Sequence, residues 1–263
     1  MKSSKLILSL SILLVSIAPK NARGATAKDY HDYQAKADSG ALTVLNMGQN
    51  IINHSNFEDK ANPMAGLRSN YPLEKDWYLE NVKHVNVVDS PDGKGKCVKV
   101  DADGGLAGNQ GVKFDTDWYP AIPGATYEAS YECLVSSLAA KAHVEGWVVD
   151  PRPPKEASSD NYVMTSDGER PTMIKCYRAQ MPDPKGDSKW QTVTRPFVLS
   201  NAVQIDGKKM KPSFLTFHIV AIGGGGVAYF RNFKIVPIKQ PADSFAPLTP
   251  GVKFKEDKKP EGK

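Results

Sequence analysis

This sequence has few cysteines, no long helical pattern and no recognisable catalytic signature. Its three cysteines are Cys97, Cys133 and Cys176, and their spacing fits neither a zinc site nor a CxxC redox motif. A disulfide between two of them and three separate thiols both remain open at this stage. The Gly223–Gly226 stretch leads into a strand-like pattern rather than a helix, which argues against a phosphate-binding loop. No nucleophile set with a known local signature is present.

A continuous apolar run lies close to the amino terminus, at Leu6–Ala18, after a short basic stretch. Small-residue cleavage sites follow it at Ala22-Arg23-Gly24 and at Ala25-Thr26-Ala27. An uncleaved anchor is the alternative, but the run is short for a membrane span. We therefore predict a signal peptide over residues 1–27 and a secreted protein, extracellular or periplasmic, with no membrane span after cleavage.

The basic character of the chain belongs mostly to this leader. The net charge is +5, and the leader carries four cations and no acidic residue: Lys2, Lys5, Lys20 and Arg23. The rest of the chain is therefore close to neutral, at +1. A chain so nearly neutral gives no argument for nucleic acid as a partner.

The stretch Trp118–Leu134 shows the pattern on which the fold prediction depends. A Pro-Gly turn at 123–124 precedes a run in which apolar residues alternate with polar ones. A period of two with aromatic residues on the apolar side is typical of a strand that is buried on one face. The run places Tyr127, Tyr131 and Cys133 on the apolar side.

Similar short strands, separated by turn signals, recur over the next hundred residues. They predict an all-β jelly-roll β-sandwich of two antiparallel sheets over residues 50–238. Residues 28–49 precede it as an N-terminal arm or a short helix. Residues 151–171 form a polar insertion of undefined role, and the Pro/Lys-rich residues 239–263 are predicted to be a disordered tail. The residues predicted to point inward are Val98, Val100, Val193, Leu215, Phe217 and Ile219.

Four of these segments carry a resemblance to a known family. They are NIINHSNFE at 50–58, YPAIPGATYEASYEC at 119–133, WQTVTRPFVL at 190–199 and GVAYFRNFKIVPI at 226–238. They resemble the opening, central, Trp-to-Phe and closing strands of carbohydrate-binding modules of the galactose-binding-like jelly-roll type, as in families 4, 9 and 22. The resemblance implies a sandwich that binds polysaccharide and has no catalytic activity of its own.

The closing motif departs from the family at one pair of residues. Arg231-Asn232 stands where the family often has Asp-Asn, near a structural calcium site that many members hold. Losing a carboxylate removes a hard oxygen ligand and places a cation there instead. We therefore expect no metal and no cofactor, with structural calcium as the open alternative.

One strand supplies the best sugar-binding candidates. His143, Glu145 and Trp147 alternate with Val144 and Val148, so they share a face. Trp147 would supply an aromatic plane for a pyranose ring, and the polar groups would bind hydroxyls. The predicted carbohydrate-binding set is Trp147, His143, Glu145, Tyr177, His218 and Glu132. The alternative is that Trp147 packs under the 151–171 insertion and the charges form an ordinary solvated face.

These observations favour a secreted, non-catalytic protein that binds a polysaccharide or surface glycan. The first alternative is a structural or adhesive scaffold of the cell envelope with a protein partner. The second is a small glycan hydrolase, in which Glu132 and Glu145 would flank the scissile bond.

Overall fold

Antiparallel strands make up most of the described chain. A computed structural model describes residues 26–42, 46–52, 57, 67–68, 83–109, 111–137, 139–152, 163–164, 171–205 and 207–241. The elements in order are α1 (Ala27–Ser39), β1 (Leu67–Arg68), β2 (Val85–Asp89), β3 (Lys96–Ala102), α2 (Gly104–Asn109), β4 (Val112–Thr116), β5 (Tyr119–Pro120), β6 (Thr126–Val135), β7 (Ala139–Val149), β8 (Val163–Met164), β9 (Met173–Gln180), β10 (Trp190–Val198), β11 (Val203–Ile205), β12 (Lys208–Met210), β13 (Phe214–Ile222) and β14 (Gly226–Lys239). The predicted all-β class is confirmed.

These strands form two main sheets. The larger sheet has seven strands in the order β1-β4-β13-β7-β9-β8, with β5 paired to β13. The smaller sheet has five strands in the order β10-β6-β14-β3-β2, and β11 with β12 forms a separate hairpin. All pairings are antiparallel. One apolar core takes residues from both main sheets, which makes the molecule a sandwich.

Alternate residues of the strands fill this core, as the period of two predicts. Tyr131 of β6 and Phe217 of β13 pack with ring centroids 5.9 Å apart, and Phe233 of β14 lies 5.4 Å from Phe217. The inward orientation of the six residues predicted to point inward is confirmed, since all belong to this core cluster. The aromatic residues therefore join the two sheets at the centre of the sandwich.

Residues 27–39 form a helix, which settles the alternative between helix and arm. Thr26 caps α1 in a capping box with Asp29, and Gly40 ends the helix in the left-handed conformation. Gln34 is buried: its Oε1 accepts hydrogen bonds from the Val149 amide at 3.0 Å and from the Ser213 hydroxyl at 2.6 Å. The helix is therefore fastened to one end of the larger sheet.

The described part of the opening motif does not form the strand that its sequence predicts. Residues 50–52 and 57 of the 50–58 stretch are described and are not in a strand, and the rest of the stretch lies outside the described residues. The Asn50 side chain instead accepts from the Ile235 amide at 2.9 Å and donates to the Phe233 carbonyl at 3.1 Å. These bonds satisfy backbone groups of β14 next to a bulge, where Asn232 has a positive φ of 53°. The Asn50 side chain thus takes the place of a neighbouring strand's backbone at this point of β14.

All three cysteines are free thiols. Cys97 and Cys133 are buried, and burial raises the pKa of Cys97 to about 11 and that of Cys133 to about 12. Cys176 is half-buried, and its thiol donates to the Gly146 carbonyl at 3.4 Å.

Several predictions fall on residues outside the described ranges: the leader up to residue 25, most of the 151–171 insertion, and the tail from residue 242. Residues 163–164 of the insertion are described and pair with β9 as β8. Within the described ranges, no helix combines the length and apolar character needed to cross a membrane.

Candidate functional site

Polar side chains gather on the outer face of the larger sheet, where β4, β13, β7 and β9 lie side by side. The pairing register aligns Asp115, His218, His143 and Gln180 in one row across these strands. The next row aligns Thr216, Glu145 and Arg178. Their neighbours in sequence, such as Phe114, Val144 and Phe217, point into the core. We call this set the outer-face cluster: Lys113, Asp115, Lys141, His143, Glu145, Lys175, Arg178, Gln180, Thr216 and His218.

A buried Asp-His pair lies at the centre of the cluster. Nδ1 of His218 is 2.6 Å from Oδ1 of Asp115. Both residues are buried, although they lie on the outer side of the sheet. His143 lies beside this pair, with its ring centroid 6.0 Å from that of His218. These three residues belong to the buried part of the cluster, beneath its exposed side chains.

A bulge in β9 brings two cations to the same carboxylate. Tyr177 pairs with Gly146 and Lys175 pairs with Trp147, so Cys176 is the additional residue of β9. Lys175 and Arg178 thereby reach the same face. Nζ of Lys175 is 3.1 Å from Oε1 of Glu145, and Nε of Arg178 is 3.7 Å from the same oxygen.

His143 is held in its neutral form. Its Nδ1 accepts a hydrogen bond from Nη2 of Arg178 at 3.0 Å, which requires this nitrogen to be unprotonated. Burial, then the charge of Arg178, then His218, Lys175 and Lys141 lower the pKa of His143 to about 4. A neutral imidazole here keeps one further positive charge out of the cluster.

The low pKa of His143 predicts a pH dependence of stability. Unfolded histidine takes up a proton near pH 6.5, whereas the folded residue does so only near pH 4. Between these values the unfolded state binds more protons, so stability falls as the pH is lowered. We expect His143→Gln to remove this part of the decline, as measured by denaturant unfolding at pH 7 and 4.5. His31→Gln, on the exposed side of α1, is the matched control, and an unchanged slope in His143→Gln would refute the assignment.

Trp147 shares the face of His143 and Glu145, but it is not exposed. It keeps only 2% of its surface accessible and packs against Trp118, with ring centroids 5.9 Å apart. Tyr30 of α1 and Phe214 of β13 complete this cluster. The predicted open aromatic plane is therefore wrong, because helix α1 contributes to covering Trp147. Cover by the 151–171 insertion stays a prediction, since most of that insertion lies outside the described residues.

The expectation of a solvated face is also wrong for the histidines and Glu145. His143, His218 and Glu145 are all buried, and Glu145 is only 1% exposed. The solvent-facing positions of the two rows belong instead to Arg178 and Gln180 at the end of β9.

Tyr177 and Glu132 lie away from the outer-face cluster. The β9 bulge turns Tyr177 to the inner side, where its ring packs 6.1 Å from Phe197 of the smaller sheet. Glu132 lies on β6 of the smaller sheet, between two core residues, so it faces outward on the opposite side of the sandwich. Glu132 and Glu145 therefore cannot flank one glycosidic bond, and this pair is wrong as the catalytic pair of the hydrolase alternative.

Glu132 belongs to a separate network around Arg231. The guanidinium donates to Glu132 at 2.8 Å, to Asp92 at 2.8 and 3.0 Å, and to the Ser90 hydroxyl at 2.8 Å. It also lies 3.9 Å from the ring centroid of Trp190. The cation expected where the family often has a carboxylate is thus paired with two acidic side chains.

Three side chains of the outer-face cluster have the chemistry of metal ligands. Asp115, Glu145 and His218 each offer a ligand atom, and these atoms all lie within 4.8 Å of one another. All three side chains already have protein partners. Asp115 pairs with His218, and Glu145 pairs with Lys175 and Arg178. An ammonium and a guanidinium beside Glu145 repel a cation. The prediction that no metal binds stays a prediction.

Sequence reasoning missed Asp115, Lys113 and Arg178. Lys113 and Asp115 alternate with the apolar residues Val112 and Phe114, which is the signal that would have placed them on the outer face. Arg178 lies out of phase with Lys175, and no sequence signal marks the bulge that brings them together.

The solved structures that this chain resembles are mostly carbohydrate-binding modules. The xylan-binding domain CBM22-1 of Paenibacillus barcinonensis aligns with 11% identity and a TM-score of 0.41, over 74% of this chain and 99% of that one. A CBM61 module solved with β-1,4-galactotriose aligns with 12% identity and a TM-score of 0.40, over 72% and 99% of the two chains. A CBM4 structure aligns with 15% identity and a TM-score of 0.37, over 71% and 99%.

These are modules of the class that the sequence motifs resemble. Their low identities and TM-scores give no basis for transferring a ligand or a site. No protein-family model matches this sequence, and no curated protein matches it. Functional inference therefore depends on the outer-face cluster itself.

Proposed function

We propose that this chain is an exported, non-catalytic glycan-binding protein that uses the outer face of its larger sheet. The observation that carries the proposal is the array of polar side chains across β4, β13, β7 and β9. Sugar recognition needs several hydrogen-bonding groups that converge on one surface and are held rigidly. Strands supply that rigidity, and the buried side chains of His143 and Glu145 hold Arg178 and Lys175 in place.

Arg178 and Gln180 are the groups best placed to meet a ligand. The Arg178 side chain is 49% exposed, yet it is hydrogen-bonded to His143 and lies beside Glu145. Its remaining N–H groups are suited to bind hydroxyl or acidic oxygens. Gln180 is exposed in the neighbouring row and offers both a donor and an acceptor.

A glycan array with the chain from Ala25 to Lys263 tests the proposal, with and without calcium. We expect retention on at least one glycan, and a loss of about tenfold in affinity for Arg178→Ala because one charged contact is removed. Lys234→Ala, an exposed cation on β14 of the other sheet, is the matched control and is expected to bind normally. No retention by a folded sample would refute the proposal and favour a scaffold with a protein partner.

The buried Asp115–His218 pair beside Glu145 favours a hydrolase as the second candidate. Such a pair orients an imidazole, and a nearby carboxylate supplies a second acid-base group. This candidate predicts new reducing ends from a glycan that the array identifies, and their loss in Glu145→Gln. The ion pairs of Glu145 argue against the hydrolase. Glu145 already pairs with Lys175 and Arg178, and this arrangement is suited to holding those two side chains in position.

A further inference from the structure

The charged side chains that reach solvent on the strands of this face are all positive. They are Lys113, Lys141, Lys175 and Arg178. The two carboxylates of the same strands, Asp115 and Glu145, are buried beneath them. This statement covers the described strands of the larger sheet. A ligand approaching those strands therefore meets ammonium and guanidinium groups first.

The same face offers no exposed aromatic ring among its described residues. Trp118 and Trp147 pack against each other, and Tyr30 and Tyr33 of α1 lie 5.2 and 5.4 Å from Phe214. These rings stabilise the docking of the helix. Ligand sites are usually lined by apolar and aromatic side chains with a few polar groups, and the described part of this face exposes polar groups without a ring. Charge and hydrogen bonding are therefore the means of recognition that its described residues provide.

The cations also lie close enough to affect one another. Burial lowers the pKa of the Lys113 ammonium, and the charges of Lys175 and Arg178 lower it further. Lys113 is on β4, whereas the other two are on β9, with β13 and β7 between them. The positive charges of these strands therefore act on one another from the same face of the sheet.

We propose that the ligand of this face is an acidic polysaccharide, carrying carboxylate or sulfate groups. The inference rests on the proposed glycan-binding function and specifies its ligand class. Arg178 presents a planar guanidinium that matches the paired oxygens of a carboxylate or sulfate. Lys141 is exposed on β7, two rows away from Arg178, and adds a point charge for a second acidic unit. The buried Glu145 fixes Arg178 and Lys175 rather than competing at the surface.

Binding to four polysaccharides tests this inference: polygalacturonate for carboxylates, dextran sulfate for sulfates, and dextran and galactan as neutral probes. We expect measurable binding to at least one acidic probe, and weakening as the salt rises from about 50 mM to about 300 mM, because salt screens exposed charges. Arg178→Gln with Lys141→Gln is expected to weaken that binding about tenfold or more. The acidic probe that binds identifies the anionic group.

The matched control removes the same charge from the other side of the sandwich. Lys234→Gln with Lys239→Gln changes two exposed lysines of β14 and is expected to stay within about twofold of wild type. An equal loss in this control would mean attraction by net charge alone and would overturn the inference. The single variant Lys141→Glu alters only an exposed position and gives a second test if the double variant folds poorly.

Failure of the inference is distinguishable from failure of the proposed function. Salt-independent binding to dextran or galactan, with no preference for the acidic probes, would keep glycan binding and overturn the acidic class. Absence of binding to all four probes and to every glycan of the array would overturn both.

Discussion

Replacing Phe217 by alanine is expected to lower the free energy of unfolding by about 3–5 kcal/mol, the usual cost of removing a fully buried aromatic side chain. Phe217 is completely buried in β13 and packs against Tyr131 and Phe233, which come from the adjacent strands β6 and β14 of the opposite sheet. Its loss leaves a cavity where the sheets meet. Chemical denaturation followed by tryptophan fluorescence measures the change.

Val198→Ala is the control for this prediction. Val198 lies on β10 with 57% of its surface exposed, so its truncation is expected to change stability by less than about 0.5 kcal/mol. A loss under about 1 kcal/mol for Phe217→Ala would contradict the register of β13, because a one-residue slip would turn Phe217 to the outer face.

Replacing Arg231 by methionine is expected to cost about 2–4 kcal/mol, since a nearly buried guanidinium loses its charged partners and leaves them unpaired. The Arg231 side chain is 9% exposed and joins Asp92 of the β2–β3 turn to Glu132 of β6. The guanidinium also packs over the ring of Trp190. Lys239→Met, exposed at the end of the same strand and away from this network, is the control. A cost equal to that of the control would show that the network contributes nothing to stability.

The same variant is expected to alter the response to acid. Hydrogen bonds from Arg231 and Ser90 hold the pKa of Asp92 below its ordinary value. Burial raises the pKa of Glu132, but hydrogen bonds from Arg231 and Asn232 outweigh it and lower that pKa. Stability from such groups is present above the unfolded pKa, about 3.9–4.3, and is lost as the pH falls below it. Unfolding midpoints at pH 6 and 3.5 are expected to differ less in Arg231→Met than in wild type.

Much of the sandwich follows from the sequence because strand parity is a local property. Alternation alone places Tyr131 and Phe217 inward and Glu145 outward, and the structure agrees. Turn residues such as Gly124, with a φ of 79°, mark where strands begin. The helix α1 also had local signals, in its Thr26-to-Asp29 capping box and in Gly40, that a search for long periodic segments passes over.

The candidate site was harder to predict because it depends on what lies above and beside each strand. Parity places Trp147 on the outer face but does not reveal that helix α1 covers it, and that helix ends 100 residues before the strand begins. The bulge at Cys176 places Tyr177 and Lys175 on opposite faces of the sheet, although their spacing of two predicts the same face. No residue type in the sequence marks this bulge. Glu132 and Glu145 have similar sequence surroundings, and only the sheet topology separates them.

The capped start of α1 makes the two predicted leader cleavage sites unequal. Removal of the leader after Gly24 leaves Thr26 with both of its capping hydrogen bonds to Asp29. Removal after Ala27 deletes the cap and puts a positively charged amino group at the helix start, where the helix dipole disfavours it. Loss of such a cap costs about 1 kcal/mol. If the predicted leader is removed, the choice of cleavage site would therefore also affect how stably this helix packs over Trp147.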